Sequence, residues 1–147
     1  MQAVGVKKSG AGLLIVSDGE VLLLLRSPKS GNPNTWGLPG GNLDAGETAI
    51  AAALREATEE LGQRVPNYSV NSEITTMRGK KIDKLFIVFV VEISAADKLT
   101  FAPALNEEHT QFRWFKLSEI PGVPNLHPVV KKLFKEHSQQ LADALEA

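Results

Sequence analysis

The sequence predicts a single α/β domain over residues 1–147, a sandwich with a mixed central sheet and helices on its faces. Three observations carry that expectation. Apolar, β-branched runs stand before and after an internal helical stretch, and a second helical stretch follows the last of them. At 147 residues and 43% hydrophobic content, the chain can bury one sizeable core but is cramped for two.

Val4 to Val16 mixes small and apolar residues, and "SDGE" at 17–20 is a turn signal before the apolar run Val21 to Leu25. This predicts a hairpin whose second strand is buried on both faces. After Arg26 comes "SPKSGNPNTWGLPGG", in which Pro28, Gly31, Pro33, Gly37, Pro39, Gly40 and Gly41 exclude regular structure over a long stretch. A loop of that length inside a compact domain usually carries function.

From Thr48 to Leu61 helix formers dominate, Ile50, Leu54, Ala57 and Leu61 recur at helical spacing as one apolar stripe, and Gly62 supplies the stop. Tyr68 to Met77 reads as a strand, "RGKKIDK" as a polar turn and "LFIVFVVEI" as a buried strand. "FRWFKL" at 112–117 is a further short strand. Beyond "PGVPNLHP", Pro128 suits the first turn of one last helix, with Val130, Leu133, Phe134, His137, Leu141 and Leu145 along its apolar side. The chain shows no repeats.

A net charge of -1 and a pI near 6.3 give no general attraction to nucleic acid or to anionic membrane, so any phosphate binding must be local. The absence of cysteine excludes disulfides, thiolate metal sites and cysteine nucleophiles, and fits a reducing compartment. "MQAVGVKKSG" lacks a signal-like hydrophobic core and "LFIVFVVEI" is too short to span a bilayer, so a soluble cytoplasmic protein is expected.

The helix raises an electrostatic question. At about 100° per residue, Glu56, Glu59 and Glu60 fall within one arc opposite much of the apolar stripe. Like charges at i, i+4 spacing and near a helix C-terminus are unfavourable by a few tenths of a kcal/mol. Arg55 and Arg64 neutralise them only in part. Either the face is an ordinary solvated one, or it serves a divalent cation, since Mg²⁺ takes carboxylate oxygens together with waters and substrate phosphates. Upstream, "GLPGGNLDAGE" brings a glycine pair to the helix start, where backbone can approach a metal or phosphate closely.

Gly41, five residues, Glu47, seven residues and "REATEELG" together resemble the Nudix box, the signature of hydrolases that act on a nucleoside diphosphate linked to another group. Gly41, Glu47, Arg55, Glu56, Ala57, Glu59, Glu60 and Gly62 match the pattern in identity or class. Gln63 departs from it, at a packing position where the family prefers an aliphatic residue. The resemblance extends loosely from "GEVLLLLRS" to "FRWFKLSEIP" and implies a Nudix-type α/β/α sandwich of the small MutT-like type.

The resemblance further implies that Glu56, Glu59 and Glu60, with the backbone carbonyl of Gly40, hold Mg²⁺ or Mn²⁺, while Glu47 and Arg55 support the geometry of the loop and helix. It implies a general base from the loop before the late strand, where Glu107 and Glu108 stand; Glu108 is preferred by its distance from Trp114, with Glu56 the other claimant. Arg26 resembles a phosphate-contacting arginine and is equally well read as a strand-end charge. Asn125 lies where MutT-type relatives recognise the base, and also where a helix cap would sit.

Trp36 reads as core packing more than as a base-pocket wall. His109, His127 and His137 lack metal-ligand spacing and read as surface or packing residues. Lys80 and Lys81 read as a solvated turn, and with Lys84 they make no basic stripe for extended nucleic acid. No marks of the ADP-ribose, dinucleoside polyphosphate or NADH subfamilies follow the box. The expected activity is therefore hydrolysis of (d)NTPs, modified ones included, to monophosphate and pyrophosphate. An RNA 5′-pyrophosphohydrolase, a nucleotide-sugar hydrolase and a non-catalytic nucleotide-binding module are the other readings. The expected partner is a small nucleotide, without membrane, and a homodimer is compatible with all of this.

Overall fold

The computed structural model describes residues 8–78 and 84–146. Strands β1 (Lys8–Ser17) and β2 (Glu20–Arg26) form the expected hairpin, with Asp18 and Gly19 at φ 51° and 76° in its turn. The sheet runs β3 (Trp36–Gly37), β2, β1, β6 (Lys84–Glu92), β5 (Ser69–Arg78), while β4 (Gly40–Asn42) pairs with β1 and β7 (His109–Lys116) with β2. β1 and β6 are parallel and the other pairings antiparallel, so the sheet is mixed.

Strand alternation divides the apolar side chains between two faces. Ala11, Leu13, Ile15, Leu22 and Leu24 pack with Ala52, Ala53, Ala57 and Leu61 of α1 (Ala49–Leu61). Leu14, Val16, Val21, Leu23, Val88 and Val90 pack on the other side with Val129, Val130 and Leu133 of α3 (Pro128–Glu136) and Leu141 and Ala144 of α4 (Ser138–Glu146). Val21 to Leu24 are fully buried, as a strand covered on both sides requires.

Thr48 caps α1 by accepting from Ala51 N, and Gly62 ends it at φ 70°. A Cβ at Gly62 would stand 2.5 Å from the Ala104 carbonyl oxygen, so glycine is required there by space as well as by conformation.

Four expectations change. The glycine and proline loop is not free of regular structure: β3 and β4 lie within it, because Trp36 and Gly37 pair with Leu25 and Leu24, and Gly40 to Asn42 pair with Gly12 to Gly10. The final helix is two helices, with His137 at φ −121° and ψ 25° between them; α4 is tied to β5 by the Asn71 amide donating to the Ala144 carbonyl. A short α2 (Ala95–Thr100), capped by Ser94, went unpredicted. The buried face of α1 is centred on Ala52, Ala53, Ala57 and Leu61 and includes Glu60, while Ile50 and Leu54 are only half-buried. Alanines let the helix approach β1 closely, which draws that side inward. Lys80, Lys81 and the chain before Lys8 lie outside the described residues, and Lys84 is the exposed first residue of β6.

Candidate active site

A cleft of about 500 Å³ takes its walls from both layers. Its acidic end holds Glu56 and Glu60 from α1, Asp44 from the preceding turn and Glu108 from the loop before β7, with the Gly40 and Gly41 backbone beneath and Arg26 at the end of β2. Leu38, Phe86 and Val129 add apolar wall, and Asn32 and His127 line the same cleft.

The glycine pair sets the acidic end. The Gly40 N–H donates to Glu60 Oε1 at 2.7 Å. A Cβ on Gly41 would fall 2.6 Å from Glu56 Cδ, so only glycine lets that carboxylate lie against the strand. Glu60 is 3% exposed, and burial, with Glu108 and Glu56 nearby, pushes its carboxyl up to about 8 despite the Gly40 bond and Arg26.

Arg55 gathers the remaining acids. Its Nε and Nη2 donate to the two Glu47 oxygens at 2.8 and 3.0 Å, Nη1 to Glu56 at 2.9 Å, and Nη2 to the Asn42 carbonyl at 3.2 Å. Asp44 and Glu59 lie 3.4 and 3.5 Å from it. The Arg55 bonds, joined by the Asp44 N–H, hold Glu47 down at about 2, and the Glu47 and Glu56 carboxylates in turn raise Arg55. Arg55→Lys keeps the charge and loses the fork. In that variant the Glu47 carboxyl is expected to titrate back toward 4.5 in a ¹³C NMR titration, with a lower melting temperature at neutral pH; an unmoved Glu47 titration would refute the clamp.

The predicted site residues therefore divide. Gly40, Glu56, Glu60, Glu108 and Arg26 share the cleft, and Arg55 and Glu47 stand directly behind Glu56. Glu59 does not join them, because its 57% exposed side chain pairs with Arg55 on the outer side. Arg64 lines that same outer hollow. Glu107 borders a smaller hollow beside Arg26. Asn125 is not a cleft-lining residue: its amide donates to the Asn34 carbonyl at 2.8 Å and its carbonyl accepts from Trp36 N at 2.9 Å. Nor does it cap α3, since the cap is His127. Trp36 packs edge-on against Phe115 at 5.0 Å, in the core as expected.

The carboxylates fit a hard divalent cation. They are oxygen donors, one is buried, and their mutual repulsion is what such an ion relieves. Among the described residues no three His, Asp or Glu side chains form a metal centre unaided, because Arg55 draws Glu56 and Glu59 toward itself. One or two carboxylates are the usual protein share for Mg²⁺.

His109 is 3% exposed, and neither ring nitrogen has a hydrogen-bond partner among the described residues. Burial, then Arg26, holds it down at about 4, so the folded protein keeps it neutral. The unfolded chain binds a proton there below about 6.5, so this residue lowers stability as pH falls from 6.5 toward 4. Asn32, Asp44, Phe86 and His127 were missed as site residues. The detectable signals were His127 directly before Pro128, a cap position, and the period-2 placement of Phe86 with Val88.

A family model described as "NUDIX domain" matches residues 6–136. A Mycobacterium tuberculosis protein provisionally named 8-oxo-dGTP diphosphatase 3 is 33% identical over 123 residues, covering 80% of this chain and 56% of that protein. The chain thus spans about half the length of that relative. Nucleoside triphosphatase NudI of Escherichia coli is 28% identical over 116 residues, covering 73% of this chain and 80% of its own. A solved structure of the M. smegmatis Nudix hydrolase RenU superposes with a TM-score of 0.77 at 25% identity, covering 92% of this chain and 86% of that one.

Proposed function

The chain belongs to the NUDIX domain family, and from that premise we propose that it is a metal-dependent pyrophosphohydrolase of nucleoside diphosphate–X anhydrides. Its substrates in this reading are (d)NTPs or modified (d)NTPs, taken to the monophosphate and pyrophosphate. The observation that carries it is the meeting of Glu56, Glu60 and Glu108 with Arg26 over the Gly40–Gly41 backbone in one cleft. The names of the M. tuberculosis and E. coli relatives support the triphosphate class. A small nucleotide is then the partner, and the compartment proposed is the cytoplasm; no helix among the described residues is long and apolar enough to cross a membrane.

Glu56 and Glu60, with the Gly40 carbonyl, would hold Mg²⁺ or Mn²⁺, which when bound neutralises phosphate oxygens and lowers the pKa of a bound water. Arg26 meets the phosphate chain. Glu108 accepts the proton of the attacking water as its oxygen bonds to phosphorus and the anhydride P–O bond breaks, pyrophosphate leaving. Glu108 suits that role better than Glu56, whose oxygen is already held by Arg55. Arg55 and Glu47 orient Glu56, and Glu59 serves as a ligand only if it leaves Arg55.

The test is a nucleotide panel with Mg²⁺ and with Mn²⁺. Pyrophosphate is expected from triphosphates and is lost on chelation. Cation affinity should strengthen as pH rises toward 8, because Glu60 must shed its proton to bind. Inert triphosphates beside cleavage of a sugar nucleotide or a triphosphorylated RNA 5′ end would sink the substrate assignment. Tight nucleotide binding without turnover would point to the binding module.

A further inference from the structure

After Arg26 the chain runs "SPKS" at 27–30 and turns there, with the Ser30 N–H donating to the Ser27 carbonyl at 3.1 Å. Pro28 stands at the second position of this turn, where its fixed φ is favoured, and serine is a preferred first residue. The turn grips the loop before β7. The Ser27 N–H donates to the Glu108 carbonyl at 2.8 Å, and the Ser30 hydroxyl donates to the same oxygen at 3.0 Å. Both lone pairs of that carbonyl are thereby taken.

The hydroxyl directions follow. Ser30 has one O–H, already given to Glu108, so in the 3.0 Å contact between the two hydroxyls Ser27 Oγ–H donates and Ser30 Oγ accepts. Ser27 is 5% exposed, and this contact satisfies its buried hydroxyl. The result is a directed chain from Ser27 through Ser30 to the Glu108 carbonyl, in which each bond polarises the next. The Glu108 N–H is also held, donating to Asn106 Oδ1 at 3.0 Å, and His109 directly after it is buried. Leu25 faces Gln111 and Arg26 faces His109, so β7 carries Thr110 as an extra residue, a bulge that bends the strand close to where Glu108 leaves it.

The same turn reaches Arg26, whose Nε donates to the Gly31 carbonyl at 2.5 Å. Arg26 and Glu108 both line the cleft, and both border the smaller hollow that Ser30 and Gly31 also line. Resting on the hydrolase reading above, in which Glu108 takes the proton of the attacking water, we propose that Ser30, backed by Ser27, is a positioning residue: it holds the Glu108 backbone so that the carboxylate keeps its place opposite Arg26. A base works only within hydrogen-bond reach of the proton it takes, and a displacement of about 1 Å can cost on the order of a hundredfold. Loss of the Ser30 hydroxyl leaves the backbone bonds of the turn and the Arg26 bond to Gly31 in place, so its effect falls on the chemical step and not on binding.

The experiment is a double-mutant cycle on whichever nucleotide of the panel turns over fastest with Mg²⁺. Single-turnover rate and KM are measured for wild type, Ser30→Ala, Ser30→Thr, Glu108→Gln and the combination of Ser30→Ala with Glu108→Gln. Ser30→Ala is expected to slow the single-turnover rate about tenfold with KM changed by less than about twofold, and Glu108→Gln to slow it about a hundredfold or more. Ser30→Thr keeps a hydroxyl and should recover to within about twofold of wild type. In the Glu108→Gln background the Ser30→Ala loss should shrink below about twofold, because no base is left to misplace; a role confined to stability would cost the same in both backgrounds. Circular dichroism and the melting temperature check that every variant folds. Losses that multiply, a loss carried by KM, or a threonine variant as slow as the alanine one overturns the proposal and leaves the hydrolase reading standing. A Glu108→Gln rate equal to wild type, or no turnover of any nucleotide, removes the base assignment or the hydrolase reading, and this proposal with it.

Discussion

Glu60→Gln is expected to lower metal-supported turnover about a hundred- to a thousandfold, the scale for removing one charged group from a reaction centre, and yet to stabilise the metal-free fold at alkaline pH. The glutamine oxygen still accepts from the Gly40 N–H, so packing is kept while the buried charge goes. The sign follows from the two titrations. The unfolded carboxyl titrates near 4.5 and the folded one near 8, so between those values the folded protein holds a proton that the unfolded chain has released. Metal-free stability contributed by Glu60 therefore declines as pH rises from about 4.5 to 8 and stays low above it. The variant should exceed wild type at pH 8.5 by on the order of 2 kcal/mol without metal, the scale for relieving a buried charge, and lose that advantage at pH 5. His109 titrates identically in both proteins, so the difference isolates Glu60. Thermal melts at the two pH values with chelator, beside turnover with Mg²⁺, check it; a variant less stable at pH 8.5 would refute the assignment.

Gly40→Ala is expected to destabilise by about 3 kcal/mol, near the upper end for overpacking. The new Cβ would lie 2.5 Å from the Ala11 carbonyl oxygen and 2.6 Å from Gly12 Cα. Both are backbone atoms of a paired strand, which cannot swing aside as a long side chain can. Gly122→Ala is the companion control, since nothing lies within 4 Å of a Cβ there. Urea unfolding of both should show a large shift for Gly40→Ala and almost none for Gly122→Ala. Because displacing Gly40 moves its N–H from Glu60, turnover should fall with stability.

The acidic half of the site was legible because its order is local. Helix periodicity places Glu56 and Glu60 on adjoining turns, Gly40 and Gly41 precede them closely, and Glu47 and Arg55 sit eight residues apart across the cap. Periodicity could not tell that Glu59 turns outward and Glu60 inward, since that depends on which side of α1 meets β1, and small alanines rather than Ile50 and Leu54 decide it. The sandwich itself was readable from Val21 to Leu25 and from "LFIVFVVEI", runs too continuous for a strand with a wet face. The strands hidden in the glycine loop were not, because two or three residues pair only once β1 and β2 supply an edge. The His127 and Asn32 pair was invisible for the same reason, being made by tertiary contact alone.

The span of those contacts also sets an order of assembly. The Gly40–Glu60 bond closes a separation of 20 residues, whereas Asn32 meets His127 across 95 and Asn125 meets Asn34 across 91. Loop closure is entropically easier for the short span, and synthesis from the N-terminus delivers it first. A growing chain therefore carries the glycine strand and carboxylate helix long before the cleft wall that His127 and Val129 supply. The carboxylates of the cleft are early in this fold and its far wall late, joined through the bridge between Trp36 and Leu126.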